Sequence, residues 1–237
     1  MTKPTTGIVI HHFNYSDSAV IARIFTLDFG YASFFVRKSK KSKTLAHLQP
    51  GTLLDMVVHI KPDRDIHAVR EMKLVQPFIS IHNDIRKSAQ ILFLSEILYR
   101  SLEIDYKNID LFDFIWNAYQ WLDQVDEYPD FHLLFLIKLS SYYGFYPQHT
   151  DLQNARYFDL EGGVFTMARP IHPMHLADPE TESFRTLLGT KFDEQNELLS
   201  NATRQKLLEA LVDYFKLHVS GIKEVNSRIV LETVFND

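Results

Sequence analysis

Ala19-Val-Ile-Ala-Arg-Ile-Phe-Thr26, Leu27-Asp-Phe-Gly30 and Tyr31-Ala-Ser-Phe-Phe-Val-Arg37 form the stretch that decides the fold class. Between Ala19 and Thr26 the side chains of Val20, Ala22 and Ile24 fall on one side of an extended chain. Ile21, Arg23 and Phe25 fall on the other, a period of two residues that belongs to a strand. The connection ends in Gly30, a residue type that enters positive φ without a Cβ clash. The chain then returns through a second extended run.

The same character continues outward on both sides. Upstream, residues 6–13 (Thr-Gly-Ile-Val-Ile-His-His-Phe) are rich in β-branched side chains, and Asn14-Tyr-Ser-Asp-Ser18 is turn chemistry. Downstream, Gln49-Pro-Gly51 interrupts the chain. Leu54, Met56, Val58 and Ile60 mark the inner face of a fourth strand, Lys61 to Asp65 makes a turn, and Ile66 to Val75 reads as a fifth strand. Five short antiparallel strands within about 75 residues predict a small barrel such as an OB-fold, and an SH3-like barrel gives the same pattern.

After Pro77 the period changes to that of a helix. Ile85, Ala89, Leu92, Ile97, Leu98 and Leu102 recur at helical spacing, followed by Leu111, Ile115, Ala118 and Leu122 with Asn108 as N-cap. Phe131 to Tyr143 is nearly all apolar, which predicts a central helix, and Gly144 can end it. Leu208, Leu211, Val212 and Phe215 mark a helix from Asn201 to Val219, and Ser227 to Phe235 is a last amphipathic piece. Phe145 to Asp178 is irregular, with Pro147, Gly162-Gly163, Pro170, Pro173 and a short hairpin around Tyr157 to Phe165. The predicted class is therefore α+β: a five-stranded OB-fold over residues 1–80, then an all-α helical bundle over 81–237, with an irregular insertion at about 145–178.

The formal charge of the 237 residues is −5, and it is unevenly spread. Residues 1–80 carry 11 lysines and arginines against 6 acids, a balance of +5, whereas residues 81–237 carry 14 against 24, a balance of −10. Such a split points to two units with different partners, the front half suited to a polyanion. Its cations concentrate in Arg37-Lys38-Ser-Lys40-Lys41-Ser-Lys43, a loop between two strands. Arg37, Lys38, Lys40, Lys41 and Lys43 are the candidate phosphate contacts, because each displaced counterion adds affinity whatever the base sequence. Tyr31, Phe34 and Phe35 flank that loop and are the candidates for stacking on bases. Phe34 and Phe35 point to opposite faces, which sends one of them into the core.

The remaining features exclude more than they assign. There are no cysteines, so disulfides and thiolate metal sites are ruled out, which is compatible with a reducing compartment. No stretch approaches the roughly 20 apolar residues of a membrane span. His172-Pro-Met-His175, with His149 upstream, has a spacing that zinc uses, but Pro173 lies between the two and no carboxylate is fixed beside them. The sequence holds no phosphate-cradling glycine loop, nucleophile elbow or paired-carboxylate motif, so catalysis and cofactors are not expected.

Taken together, the chain resembles the RecO family of bacterial recombination mediators. The likeness runs through Gly7-Ile-Val-Ile, Asp17-Ser18, Thr26 to Gly30, Val36-Arg37-Lys38, Leu48-Gln49-Pro50 and Pro77 to Asp84. It continues in Tyr143-Gly-Phe-Tyr-Pro147 and Gly221-Ile-Lys-Glu-Val-Asn-Ser-Arg-Ile-Val-Leu231. Many relatives carry a four-cysteine zinc module after the Tyr-Gly segment. Here the cysteines are absent, so packing by Tyr157, Phe158, Val164 and Phe165 must hold that region. The resemblance implies binding of single- and double-stranded DNA, strand annealing, and loading of RecA on DNA coated by single-stranded DNA-binding protein (SSB). The implied partners are RecR, the acidic-apolar C-terminal tail of SSB and, in some pathways, RecF, and the implied location is the cytoplasm, at the nucleoid. Arg100, Lys138 and Arg204 are candidates by type for contacting the SSB tail. The alternative is an adaptor whose barrel is structural and whose acidic bundle binds proteins.

Overall fold

The computed structural model describes residues 1–38, 44–61, 63–148, 155–192 and 199–236. The chain divides into two compact units, Met1–Val125 and Asp126–Asp237.

In the first unit the strands are β1 (Thr2–Ser16), β2 (Ala19–Thr26), β3 (Gly30–Arg37), β4 (Leu53–His59) and β5 (Ile66–Leu74). A one-turn helix, α1 (Thr44–His47), lies between β3 and β4. The strands close into a barrel in the order β1-β2-β3-β5-β4. β1 is longer than its apolar run suggests, because Thr2 to Ile8 pair with β4 while Gly7 to Ser16 pair with β2. The expectation of five antiparallel strands is corrected at one seam: Ser33, Phe34 and Phe35 pair in parallel with Ile66, His67 and Ala68. The reason is parity. Directions cannot alternate all the way around a closed ring of five, so one neighbouring pair must run the same way. This seam, with the helix between β3 and β4, decides for the OB-fold over an SH3-like barrel.

Val9, Val20, Ala22, Ile24, Ala32, Phe34, Val36, Leu54, Met56 and Val58 fill the barrel, with Leu48 entering from just beyond α1. Two longer helices complete this unit, α2 (Ile85–Ser101) and α3 (Ile109–Gln124). Phe25, on the outer face of β2, meets the ring of Phe112 on α3 edge-on at 5.7 Å. The α2–α3 connection pairs with the start of β3 through Tyr31 N–H to Tyr106 O (3.0 Å) and Asp105 N–H to Tyr31 O (2.8 Å). The approach is so close that Gly30, at φ +69°, has no room for a side chain: a Cβ there would lie 2.5 Å from the Tyr106 carbonyl oxygen. Gly30→Ala is expected to cost about 2 kcal/mol through left-handed strain and displacement of that backbone, read as a lower urea midpoint at unchanged m-value.

Both helices are capped by side chains, α3 by the expected Asn108 and α2 by Asp84. Asp84 accepts from the N–H groups of Arg86 and Lys87, and Asn108 accepts from Leu111 N–H. The expected stripe of α2 holds at Ala89, Ile97, Leu98 and Leu102, all buried, and is corrected at two positions: Ile85 is 70% exposed and Leu92 41%. The inward face also carries Lys87, Gln90, Ile91, Phe93, Leu94 and Ser101. Lys87 is tolerated inside because its ammonium donates to Ser80 Oγ (2.6 Å) and to the Val125 carbonyl.

The second unit is built on α4 (Phe131–Tyr142), buried on every side from Phe131 to Ile137. That is why its sequence shows no polar stripe. Gly144 follows it at φ +81°. His132 lies wholly inside, where burial, and then the charge of Arg204, push its pKa down to about 3 and keep the ring neutral. The irregular insertion contains the expected hairpin, β6 (Tyr157–Asp159) and β7 (Val164–Thr166). It also contains an unexpected third strand, β8 (His175–Ala177), and the sheet order is β7-β6-β8. Phe158 and Phe165 pack 4.9 Å apart, and Phe158 also meets Phe184 (4.7 Å) and Tyr214 (5.8 Å). Tyr157 and Val164, expected to share that role, are only half-buried. Phe184 belongs to α5 (Glu180–Gly189), absent from the sequence reading, and Tyr214 to α6 (Asn201–His218). The last helix is α7 (Ser227–Asn236). Among the described residues no helix is long and apolar enough to cross a membrane.

Candidate nucleic-acid interface

Alternation along β3 sends Phe34 and Val36 into the barrel and leaves Arg37 exposed at the strand's end. Lys38 then leaves the strand with its N–H on Ser18 O (2.8 Å) and its ammonium on Ser16 O (3.1 Å), so the start of the basic loop is tied to the β1–β2 turn. Lys40, Lys41 and Lys43 lie outside the described residues.

Beside this point runs a groove of about 740 Å³. Its lining includes Phe35, Arg37, His47, Lys61, Arg70 and Glu71. Three elements therefore deliver cations to one concave surface: the end of β3, the start of the β4–β5 turn and the middle of β5. His59 has its pKa lowered first by the N-terminal ammonium and then by burial, with smaller contributions from Arg70 and Lys61. Sequence reasoning missed Lys61 and Arg70. Each sits among acids in the chain, Lys61 near Asp63 and Asp65 and Arg70 beside Glu71, and it is barrel closure, with β5 laid parallel to β3, that groups them with Arg37.

The stacking candidates are corrected by burial. Phe34 is 0% exposed in the barrel core, and Tyr31 is 2% exposed beneath the α2–α3 connection, so neither presents a face to a base. Phe35 keeps partial exposure, with the ring of Tyr15 edge-on to it at 6.0 Å.

The helical candidates fare differently from one another. Arg100 is bound to Glu96 Oε1 through Nε (3.0 Å) and Nη2 (2.6 Å). Lys138 is half-buried on α4. Arg204 is corrected: it is buried and its Nε lies 2.6 Å from Asp130 Oδ1, a structural ion pair within the second unit. His172 lies 3.3 Å from Asp159 and 3.6 Å from Glu161, and His175 Nδ1 is 2.8 Å from the His172 carbonyl oxygen. These contacts tie the segment leading into β8 to the end of β6 and the turn after it. Among the described residues no three His, Asp or Glu side chains converge as a metal would need, and His149 lies outside those residues.

The family model "Recombination protein O N terminal" matches residues 1–78, and "Recombination protein O C terminal" matches residues 82–228. The chain belongs to the RecO family. It is 37% identical to the DNA repair protein RecO of Flavobacterium psychrophilum over 238 residues, 98% of both chains. It is 34% identical to that of Flavobacterium johnsoniae over 236 residues, again 98% of both, and 32% identical to that of Bacteroides fragilis over 242 residues, the whole of both. The RecO N-terminal match ends with the barrel strands, whereas the first compact unit of this chain extends through α3 to Val125.

Proposed function

We propose that this chain is a non-catalytic DNA-repair mediator that grips DNA by its sugar–phosphate backbone through the barrel. The observation that carries this reading is the convergence of Arg37, Lys61 and Arg70 on one groove at the end of β3. Family membership supplies the biological setting. Following the RecO resemblance, the mediator binds single and double strands, anneals complements, and assists RecA loading on SSB-coated DNA with RecR and, in some pathways, RecF. Its place is then the cytoplasm, at the nucleoid. The −10 balance of residues 81–237 favours protein partners for that half, and it supports as a second reading an adaptor whose barrel binds no DNA.

A variant with Arg37, Lys61 and Arg70 all changed to Ala separates the two. If each engages one phosphate, the slope of log K against log salt for single strands becomes shallower by about 2. Annealing of SSB-coated complementary oligonucleotides slows in parallel. An unchanged slope removes the groove from the mechanism, and wild-type protein without affinity at low salt leaves the adaptor.

A further inference from the structure

The outer face of β1, β2 and β3 has two ends with different surroundings. Register aligns Phe13 with Ile21 and Ile21 with Phe35, while His11 aligns with Arg23 and Arg23 with Ser33. Since Val20, Ala22, Phe34 and Val36 fill the barrel, this second set points outward. At one end the face is closed, by Phe112 over Phe25 and by the α2–α3 connection over Tyr31. At the other end it is open, with Phe13 41% and Tyr15 64% exposed. The β1 ladder is irregular between Asn14 and Ser16, and Tyr15, the residue at that break, sets its ring at 81° to Phe35. Further along the face, His11 meets Tyr99 of α2 at 4.6 Å.

Cations are interleaved with these rings. Arg23 donates to Ser33 Oγ (2.6 Å), Arg37 is exposed beside Phe35, and Lys38 is held at Ser16. Phe35 and Arg37 also line the cationic groove, so rings and groove are continuous. A purely apolar protein segment would leave these cations unused, and the continuity of the rings with a groove lined by Arg37, Lys61 and Arg70 favours a polyanion. A nucleic-acid strand with its bases free uses both, since it presents ring faces and phosphates in alternation. In a duplex the bases already stack on each other.

We propose that Phe13, Tyr15 and Phe35 form a stacking platform for unpaired bases, so that the barrel prefers single strands to duplex. This rests on the DNA-binding reading above. The test uses the full chain, Tyr15→Ala and Phe35→Leu variants, and three probes: a thymidine oligonucleotide, the same backbone with abasic sites, and a blunt duplex. Tyr15→Ala removes an exposed ring, and Phe35→Leu keeps an apolar side chain at its place. Each variant is expected to weaken oligonucleotide binding roughly tenfold with the salt slope unchanged, because a ring is lost and no phosphate contact. Duplex and abasic binding should match wild type. Equal oligonucleotide affinity in wild type and both variants overturns the platform and leaves the groove standing. Equal losses on duplex and single strand overturn it too, as would variants that lose self-association in gel filtration while oligonucleotide affinity stays. Wild-type protein that binds none of the probes at low salt would instead sink the underlying DNA-binding reading.

Discussion

Asp123→Ala is expected to cost the first unit about 3–5 kcal/mol, a large share of the about 5–15 kcal/mol that stabilises an ordinary domain. The Asp123 carboxylate, at the end of α3, accepts from the N–H groups of Ile79 (2.8 Å), Ser80 (2.8 Å) and Ile81 (3.0 Å). Ser80 Oγ donates to the Asp123 carbonyl oxygen (2.7 Å) and in turn accepts from the buried Lys87 ammonium (2.6 Å). One carboxylate thus turns the segment that joins barrel to helices and braces the hydroxyl that solvates a buried cation. Alanine strands three backbone donors, whereas Asp123→Asn retains one acceptor oxygen and should cost about half as much. Burial opposes ionisation of this group, but the hydrogen bonds from Ile79, Ile81 and Ser80 outweigh it and hold the pKa below its ordinary 3.8. A depressed carboxylate pKa means the unfolded chain binds the proton more readily. The stabilisation is therefore complete above about pH 5 and is lost as the pH falls below about 4 through the lowered pKa. Urea titrations of wild type and Asp123→Asn at neutral and acid pH check this. A gap between the two that stays constant with pH would refute the assignment.

Much of the fold is legible in the chain because its elements obey simple periods. The β2–β3 alternation, Gly30 at positive φ, the Asn108 cap and the all-apolar α4 are local facts, and each follows from neighbouring residues alone. What fails locally is what depends on closure. The parallel β3–β5 seam follows from counting five strands in a ring, a property no window of sequence contains. The inward face of α2 is only partly legible for a related reason: Ala89, Ile97, Leu98 and Leu102 are buried as expected, but the face extends to polar residues. Lys87 and Gln90 look like surface residues, and Lys87 is buried only because the 78–84 segment folds back to supply Ser80. The α5 helix had a usable signal in Thr181, Phe184, Leu187 and Leu188, at i, i+3, i+6 and i+7, but it follows a stretch dense in proline and glycine that masks it.

The candidate site was half legible. A run of like charges announces itself, so the Arg37–Lys43 loop stands out. Lys61 and Arg70 do not, since single cations acquire meaning only when the barrel aligns them with Arg37. Aromatic residues carry the opposite difficulty. Phe34 and Phe35 are alike as text, and Tyr15 reads as a turn residue. Register separates the buried ring from the half-open one, and a break in the β1 ladder brings Tyr15 across to Phe35.

Arg204 shows how the same ambiguity resolves in the helical unit, and the expected outcome distinguishes its two readings. Its Nε holds Asp130 at 2.6 Å with both side chains nearly inaccessible, Nη1 donates to Asn201 (2.6 Å) and Nη2 to the Leu199 carbonyl (2.9 Å). Asp130 also accepts from Leu199 N–H (3.3 Å), so the pair ties the entry of α6 to the start of α4. Removing either partner alone leaves a buried charge uncompensated, and Arg204→Met and Asp130→Asn are each expected to cost about 3–5 kcal/mol. The double variant should cost about as much as one single, because the second change removes a charge already stranded, and the cycle then shows a coupling of about 3 kcal/mol. A surface cation that receives an acidic peptide behaves otherwise: Arg204→Met would leave the urea midpoint in place and weaken only the binding of an SSB-tail peptide. Additive, small stability losses would therefore return Arg204 to the partner interface, while strong coupling assigns its charge to the folding of α4 against α6 and leaves any acidic tail to be met by other cations.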